Sequence, residues 1–233
     1  MLELNYYEPR KLLEDDEAMQ QLSRLAVDAF GKEDKTTEDM EESLRDHVLP
    51  HDGVLALEDE EFIGFASMNS VETPYGDDLI YGEGAAVRDD YQGEGLGTLL
   101  HVGGVLQEAD EAAEKVFVGA KTQNPRVLSY MNKLFNAHPR PDSRIPEDVG
   151  RMMDIVPERG PGEPEYERPV IKDAYGEPLY DERPEHELAE FMDSIEDFDY
   201  RNGDAVVVVG KVDREELEDA YDEALENANV QQP

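Results

Sequence analysis

Three features of the 233-residue chain predict an α/β fold (α+β in stricter usage). Helix-period and strand-period segments alternate through the first half. Two strand-like runs flank the acidic turn Asp59-Glu60-Glu61, which reads as an antiparallel hairpin. A buried-strand run, Ala205-Val206-Val207-Val208-Val209, follows a long proline-rich stretch. At 39% hydrophobic residues the chain can bury a core.

The elements follow in order. Residues 2–7 read as a strand. Residues 15–30 read as a helix, because Met19, Leu22, Leu25, Ala26 and Ala29 recur at spacings of three and four. A second helix opens at Thr37 as N-cap and stops before Pro50. Val54–Glu58 and Phe62–Val71 form the hairpin, and Leu79–Arg88 is a third strand. A helix is expected from Gly95 to Ala113, with Leu96, Leu99, Leu100, Gly103 and Leu106 on one face. Val116–Ala120 is a short strand, and Asn124 caps a helix that starts at Pro125. Nine of the fourteen prolines then fall between Pro139 and Pro184, and Gly160-Pro161-Gly162-Glu163-Pro164 can continue neither helix nor central strand. Within that excursion only Glu185–Glu196 reads as helical. The final helix opens on a capping box, Asp213-Arg214-Glu215-Glu216.

This organisation predicts a single domain over 1–233. Its core is 2–136 plus 205–212, its insertion 137–204 and its C-terminal helix 213–228. The insertion carries Ile145, Met152, Met153, Ile155, Val156, Val170 and Ile171, among others, and these need a surface to cover. A cleft of the same domain and a homodimer partner are the two candidates.

Charge excludes several function classes. The chain has 58 Asp and Glu against 21 Lys and Arg, a formal net charge of -37. The longest acidic runs are four residues, so the acids make a surface rather than a tail. Such a surface resembles proteins of cells that hold molar salt, where the Debye length is about 3 Å. No basic stripe exists to neutralise phosphates, so nucleic acid is not an expected partner. No apolar stretch nears membrane-spanning length, and the N-terminus lacks a leader pattern, so a cytoplasmic protein away from the membrane is expected. No cysteine is present. His47 and His51 are four apart, but Pro50 interrupts any shared face, so no metal site is expected.

The most informative segment is Val87-Arg88-Asp89-Asp90-Tyr91-Gln92-Gly93-Glu94-Gly95-Leu96-Gly97-Thr98. Alternating glycines at a strand-to-helix junction let the backbone turn sharply and approach an anion, and helix N–H groups point at it. A flexible glycine turn is the plainer reading. The P-loop lysine is missing before Thr98, and the strand Val116–Ala120 lacks the closing acid of a dinucleotide fingerprint.

The segment resembles the coenzyme-A loop of GNAT acetyltransferases, Gln/Arg-x-x-Gly-x-Gly/Ala, with Gln92, Gly95 and Gly97 at its defining positions. The order of elements is similar to that family as well, over residues 2–136 plus the strand at 205–212. The resemblance implies a mixed, mostly antiparallel sheet with helices on both faces. It implies acetyl-CoA as cosubstrate, contacted by Ala85, Val87, Gln92, Gly93, Gly95, Leu96, Gly97, Thr98 and Asn124. The small side chains of Tyr81-Gly82-Glu83-Gly84-Ala85-Ala86-Val87 would then admit the pantetheine arm to the strand. Arg88, Lys121 and Arg126 would soften the field for a polyanion, or are ordinary surface charges.

The implied reaction is direct acyl transfer to a primary amine of a small molecule or a protein. Such an amine, with pKa about 10, must first lose a proton. Glu83 is the candidate base and, equally, one exposed acid among many. The family's thiolate-protonating tyrosine aligns with Met131, and Tyr130 stands one residue early, about 100° around the helix. Tyr130 is either the acid after a local shift or a packing residue beside Val127, Leu128, Met131, Leu134 and Phe135. Two other classes stay open: a non-catalytic coenzyme-A-binding module, and a structural or assembly protein built around the insertion.

Overall fold

A computed structural model describes residues 2–30, 36–47, 53–156, 169–228 and 230. Seven strands line up in the order β1-β2-β3-β4-β5-β7-β6. They are β1 (Glu3–Tyr7), β2 (Gly53–Asp59), β3 (Glu61–Val71), β4 (Leu79–Val87), β5 (Lys115–Thr122), β6 (Val170–Ile171) and β7 (Ala205–Asp213). The pairs β1–β2, β2–β3, β5–β7 and β6–β7 are antiparallel. The helices are α1 (Pro9–Leu13), α2 (Asp16–Phe30), α3 (Thr37–His47), α4 (Leu96–Glu108), α5 (Pro125–Leu134), α6 (Glu147–Met153), α7 (Ala189–Ser194) and α8 (Arg214–Ala228). This is the α/β, mostly antiparallel sheet with flanking helices that the sequence predicts. The chain divides into two compact units, residues 1–70, 82–112 and 215–233 in one, and 71–81 and 113–214 in the other.

In the first unit, strand alternation sorts the helices. Val54, Ala56, Phe65 and Ala86 form one cluster with Met19, Leu22, Leu25 and Ala26 of α2 and Met40 and Leu44 of α3. Leu55, on the opposite face of β2, meets α4. The approach is close: a Cβ on Gly103 would lie 2.8 Å from both Leu55 Cδ2 and Tyr221 Cε2, and one on Gly104 2.9 Å from Met68 Cγ. The N-cap of α3 is Thr36 rather than the expected Thr37. Thr36 Oγ1 accepts from Asp39 N at 3.1 Å, and Asp39 Oδ2 accepts from Thr36 N at 3.0 Å, which is the reciprocal capping box. Helix α4 stops at Glu108, short of Ala113, because Asp110 Oδ1 takes the Ala112 N–H at 2.9 Å and turns the chain.

In the second unit, the proline-rich excursion supplies core. Val149, Met152 and Met153 of α6, with Val156 and Ile171, cluster with Leu79, Tyr81, Phe117, Val207 and Val209. Ile145 and Ile155 pack against the same cluster. The surface covered by these side chains is therefore the β5–β7 face of their own unit. On the other face of β7, a side chain at Gly210 would collide with the Phe135 carbonyl, where the chain leaves α5. The helix expected over Glu185–Glu196 is reduced to α7, and α1, α6 and β6 were not expected. Pro50, His51, Arg159, Gly160–Pro164 and Arg168 lie outside the described residues.

Candidate active site

The residues nominated by the sequence fall in both units, and each group is built within its own. In the first unit, β4 delivers the chain to the glycine loop. Ala86 sits in the cluster under α2 and α3, so alternation puts Glu83, Ala85 and Val87 on the other face of β4. Glu83, Ala85 and Val87 are each half-buried. After Val87 the chain is pinned by Arg88 N donating to Ile63 O at 2.8 Å, then makes one short turn over Asp89–Tyr91.

Gln92 folds back on that turn: its Nε2 donates to Val87 O at 3.1 Å and to Asp89 Oδ1 at 2.7 Å. Its side chain thus braces the loop. Gly93 and Gly95 have φ of 88° and 83°, the left-handed region where a Cβ is strained. Gly95 is the N-cap of α4, and no side chain caps the helix. Although the chain carries 58 acids, the first turn of α4, Leu96-Gly97-Thr98, has none. Leu96 is buried and anchors the turn. Gly97 differs from its neighbours. Its φ is not left-handed, and a Cβ built there meets no atom within 4 Å. The fold does not demand glycine at 97, so open space is kept over the helix start. A helix N-terminus with no carboxylate on it and glycine on the approach fits a phosphate group.

Arg88 is occupied within the protein. Its guanidinium pairs with Asp90 at 2.7 and 3.2 Å and lies 4.7 Å over the Tyr91 ring, and the Asp90 contact pushes its pKa higher still. It lines an open groove of about 730 Å³ with Gln21, Arg24, Asp28, Glu61 and Asp89. His101, on α4, bonds the Gly97 carbonyl at 2.8 Å through Nδ1, and burial lowers its pKa.

In the second unit, the end of β5 and the start of α5 form a tight polar knot. Asn124 caps α5 as expected, accepting from Arg126 N at 2.9 Å. Its own N–H donates to Thr122 Oγ1 at 2.9 Å. Its Nδ2 donates to Tyr180 Oη at 3.2 Å. Gln123 is fully buried. Its Nε2 donates to Asp204 O at 2.8 Å and Tyr200 O at 3.3 Å, and its Oε1 accepts from Leu179 N at 2.6 Å. Asp204, also fully buried, accepts from Lys172 Nζ at 2.5 Å, Asp173 N and Asp199 N at 2.9 Å and Asn202 Nδ2 at 3.2 Å. Burial alone would raise its carboxyl, but these donors outweigh burial and hold it below the usual carboxylate range. Lys121 Nζ sits 5.5 Å over the Tyr175 ring, and Arg126 Nε donates to Glu185 O at 3.3 Å.

Of the two α5 positions compared from the sequence, Met131 and Tyr130, only Tyr130 carries an aromatic ring. Met131 is buried, at 2% exposure. The Tyr130 ring packs edge-on against Phe135 at 5.9 Å, its hydroxyl oxygen is buried, and burial pushes its pKa well above the ordinary value. Tyr180, Gln123 and Asp204 were not singled out from the sequence. Tyr180 lies 56 residues from Asn124 in an aperiodic stretch, so no spacing marks it. Gln123, beside the N-cap, was the one signal within reach.

Among the described residues no group of three or more His, Cys, Asp and Glu is gathered for a metal ion, and no helix is long and apolar enough to cross a membrane. No curated protein matches the chain. Among solved structures, the chain is similar to the ribosomal-protein-S18-alanine N-acetyltransferase of Escherichia coli (10% identity, 91% of this chain and 95% of that one, TM-score 0.47). It is similar to an acetyltransferase of Trypanosoma brucei (19%, 63% and 99%, TM-score 0.41). An aminoglycoside acetyltransferase from an uncultured soil metagenomic sample, in complex with sisomicin, is a third (18%, 62% and 92%, TM-score 0.40). The model of the acetyltransferase (GNAT) family matches residues 19–135, which takes in the glycine loop, Asn124 and α5. The chain belongs to the GNAT acetyltransferase family.

Proposed function

We propose that this protein transfers an acetyl group from acetyl-CoA to a primary amine of a small molecule or a protein, by direct attack in a ternary complex. The observation that carries the reading is the β4–α4 loop: two left-handed glycines, a helix start free of carboxylates, and open space over Gly97. Bound there, acetyl-CoA would supply an activated thioester carbonyl. The chain's own residues do the rest. The amides of Leu96, Gly97 and Thr98 would hold the pyrophosphate, and Gln92 keeps the loop in shape. Gly93 and Gly95 turn the backbone, while Ala85 and Val87 leave room beside β4; the family resemblance nominates Asn124 as a contact of the pantetheine arm. Orienting both reactants removes much of the entropic barrier. Glu83 is the base that the sequence nominates and Tyr130 the acid.

The acidic surface fits a cytoplasm of molar salt, where screening reduces both self-repulsion and the repulsion of a polyanionic cosubstrate. Nucleic acid and membrane are not partners in this reading, and a homodimer is compatible with it. A non-catalytic coenzyme-A-binding module is the second reading, favoured by Met131 at the family's tyrosine position and by the buried Tyr130 hydroxyl. Calorimetry with acetyl-CoA in molar KCl, followed by thiol release with a panel of amines, separates the two. The panel would hold a diamine, an amino acid, an aminoglycoside and a peptide N-terminus. Thiol release with one of these supports transfer, binding without release supports the module, and no binding removes both.

A further inference from the structure

The groove beside Arg88 lies wholly within the first unit and has no part in the reading above. Gln21, Arg24, Leu25 and Asp28 of α2 line it, spaced so that they share one face of the helix. Glu61, at the start of β3, and the residues just after β4 complete the lining. Its volume, about 730 Å³, suits a small organic molecule. Some of the charges that line it are already spent: Arg88 grips Asp90 with two hydrogen bonds, and Asp89 accepts from Gln92. Arg24, Asp28 and Glu61 differ. Among the described residues, none of the three makes a hydrogen bond or an ion pair. Arg10, Arg45 and Arg151 each pair with a glutamate one turn away. Asp28 is also one turn from Arg24, but aspartate is a methylene shorter, and the two charges stay apart. Gln21 adds a donor next to Arg24 on the same face. Its Oε1 accepts from Phe62 N at 3.2 Å, which makes the Nε2 end, with two protons, the end that can serve a ligand.

We propose that this groove binds a free diamino acid of the lysine class. The carboxylate lies against the Arg24 guanidinium and the Gln21 amide, where N–H donors from two neighbouring side chains meet its two oxygens. The α-ammonium meets Asp28 and the side-chain ammonium meets Glu61. The methylenes between them cover Leu25 and Val27, the apolar part of the lining. Charge selects this class over its simpler relatives. With Arg88 and Asp90 cancelling, Arg24 faces Asp28, Glu61 and Asp89, one cation against three anions. A diamine would set an ammonium against Arg24 or leave that guanidinium idle. A plain amino acid would leave the acids in excess. A molecule with one carboxylate and two ammonium groups satisfies both ends. Binding needs no acyl donor, so the proposal stands apart from the transfer reading.

The test is calorimetry in molar KCl without acetyl-CoA. The probes are L-lysine, cadaverine (lysine without its carboxylate) and L-norleucine (lysine without its side-chain ammonium). Wild type is expected to bind L-lysine saturably at one site, and each of the other two about tenfold more weakly, the worth of one charge-assisted hydrogen bond. Arg24→Gln should weaken L-lysine about tenfold and leave cadaverine within about twofold. Asp28→Asn should weaken both L-lysine and L-norleucine about tenfold. Asp222→Asn removes an exposed acid of α8 that does not line the groove, and should change nothing. No saturable binding of L-lysine to wild type overturns the site. Cadaverine bound as tightly as L-lysine, or equal losses in Asp222→Asn and Asp28→Asn, would mean that cations merely gather on an acidic surface, and overturns it too. Wild-type affinity for L-lysine in Arg24→Gln overturns the carboxylate end. Arg24 and Asp28 are exposed, so the variants should fold, which circular dichroism and Tm check. If Arg24→Gln does not fold, Arg24→Met is read by the same comparison of L-lysine with cadaverine.

Discussion

Replacing Gly97 by alanine should make the protein more stable and worse at binding. Gly97 sits in the first turn of α4 without a left-handed backbone, and a Cβ there meets nothing within 4 Å. Removing glycine's excess unfolded-state freedom from a helix is worth up to about 1 kcal/mol. For a chain of this length that raises Tm by roughly 2–4 °C. The same methyl intrudes on the space over the helix start, where the phosphate is proposed to approach. Loss of about tenfold in acetyl-CoA affinity, roughly 1.4 kcal/mol, is expected. Gly95→Ala is the contrast, since φ of 83° costs an L-residue roughly 1–2 kcal/mol, and Tm should fall. Thermal melts without ligand and calorimetry with acetyl-CoA, both in molar KCl, read the two effects separately. A lower Tm in Gly97→Ala would show that the fold itself needs the glycine. Unchanged affinity would show that the phosphate sits elsewhere.

Gly103→Ala should cost about 1–3 kcal/mol, because its new methyl lands 2.8 Å from Leu55 and Tyr221; a denaturant midpoint equal to wild type would contradict the close packing of α4. Asp204→Ala should cost about 3 kcal/mol by stranding the Asp173 and Asp199 amides, and chemical denaturation checks it. The folded pKa of Asp204 is depressed, so its contribution is present above the ordinary carboxylate pKa and is lost as pH falls through the lower folded value. The gap in stability between wild type and Asp204→Asn should therefore shrink in acid, and a gap independent of pH would refute the assignment. Raising KCl from low to molar concentration should raise both Tm and acetyl-CoA affinity, and a Tm that falls with salt would contradict the screening reading.

The parts of this fold that could be read from the sequence are those whose determinants are local. Met19, Leu22, Leu25 and Ala26 announce α2 by their spacing, and Asn124-Pro125 announces the start of α5. The glycine loop was legible for the same reason, since Gln92, Gly93 and Gly95 lie within four consecutive residues. Residues 137–204 were not legible as core. Val149, Met152 and Met153 carry a helical spacing over only seven residues, bounded by Pro146, and their partners Leu79 and Val207 are distant in sequence. Thr36 rather than Thr37 caps α3 because the reciprocal acid is Asp39, three residues on, and Glu38 beside it offered no contrast. Tyr180 depends on a contact that spans 56 residues, which no local pattern encodes.

Gln123 has a consequence for the history of the chain. Both ends of its amide are consumed by backbone that belongs to the segment after β6: two carbonyls on one end, one N–H on the other. Glutamate would turn a negative oxygen toward those carbonyls, and a hydrocarbon of the same size would take their side-chain partner from the Asp204 carbonyl and the Leu179 N–H. Descent should therefore treat residue 123 and that segment as one heritable character. Relatives that keep the segment should keep glutamine at this site. In relatives that have lost the segment, the position should drift freely among side chains suited to a β-strand end.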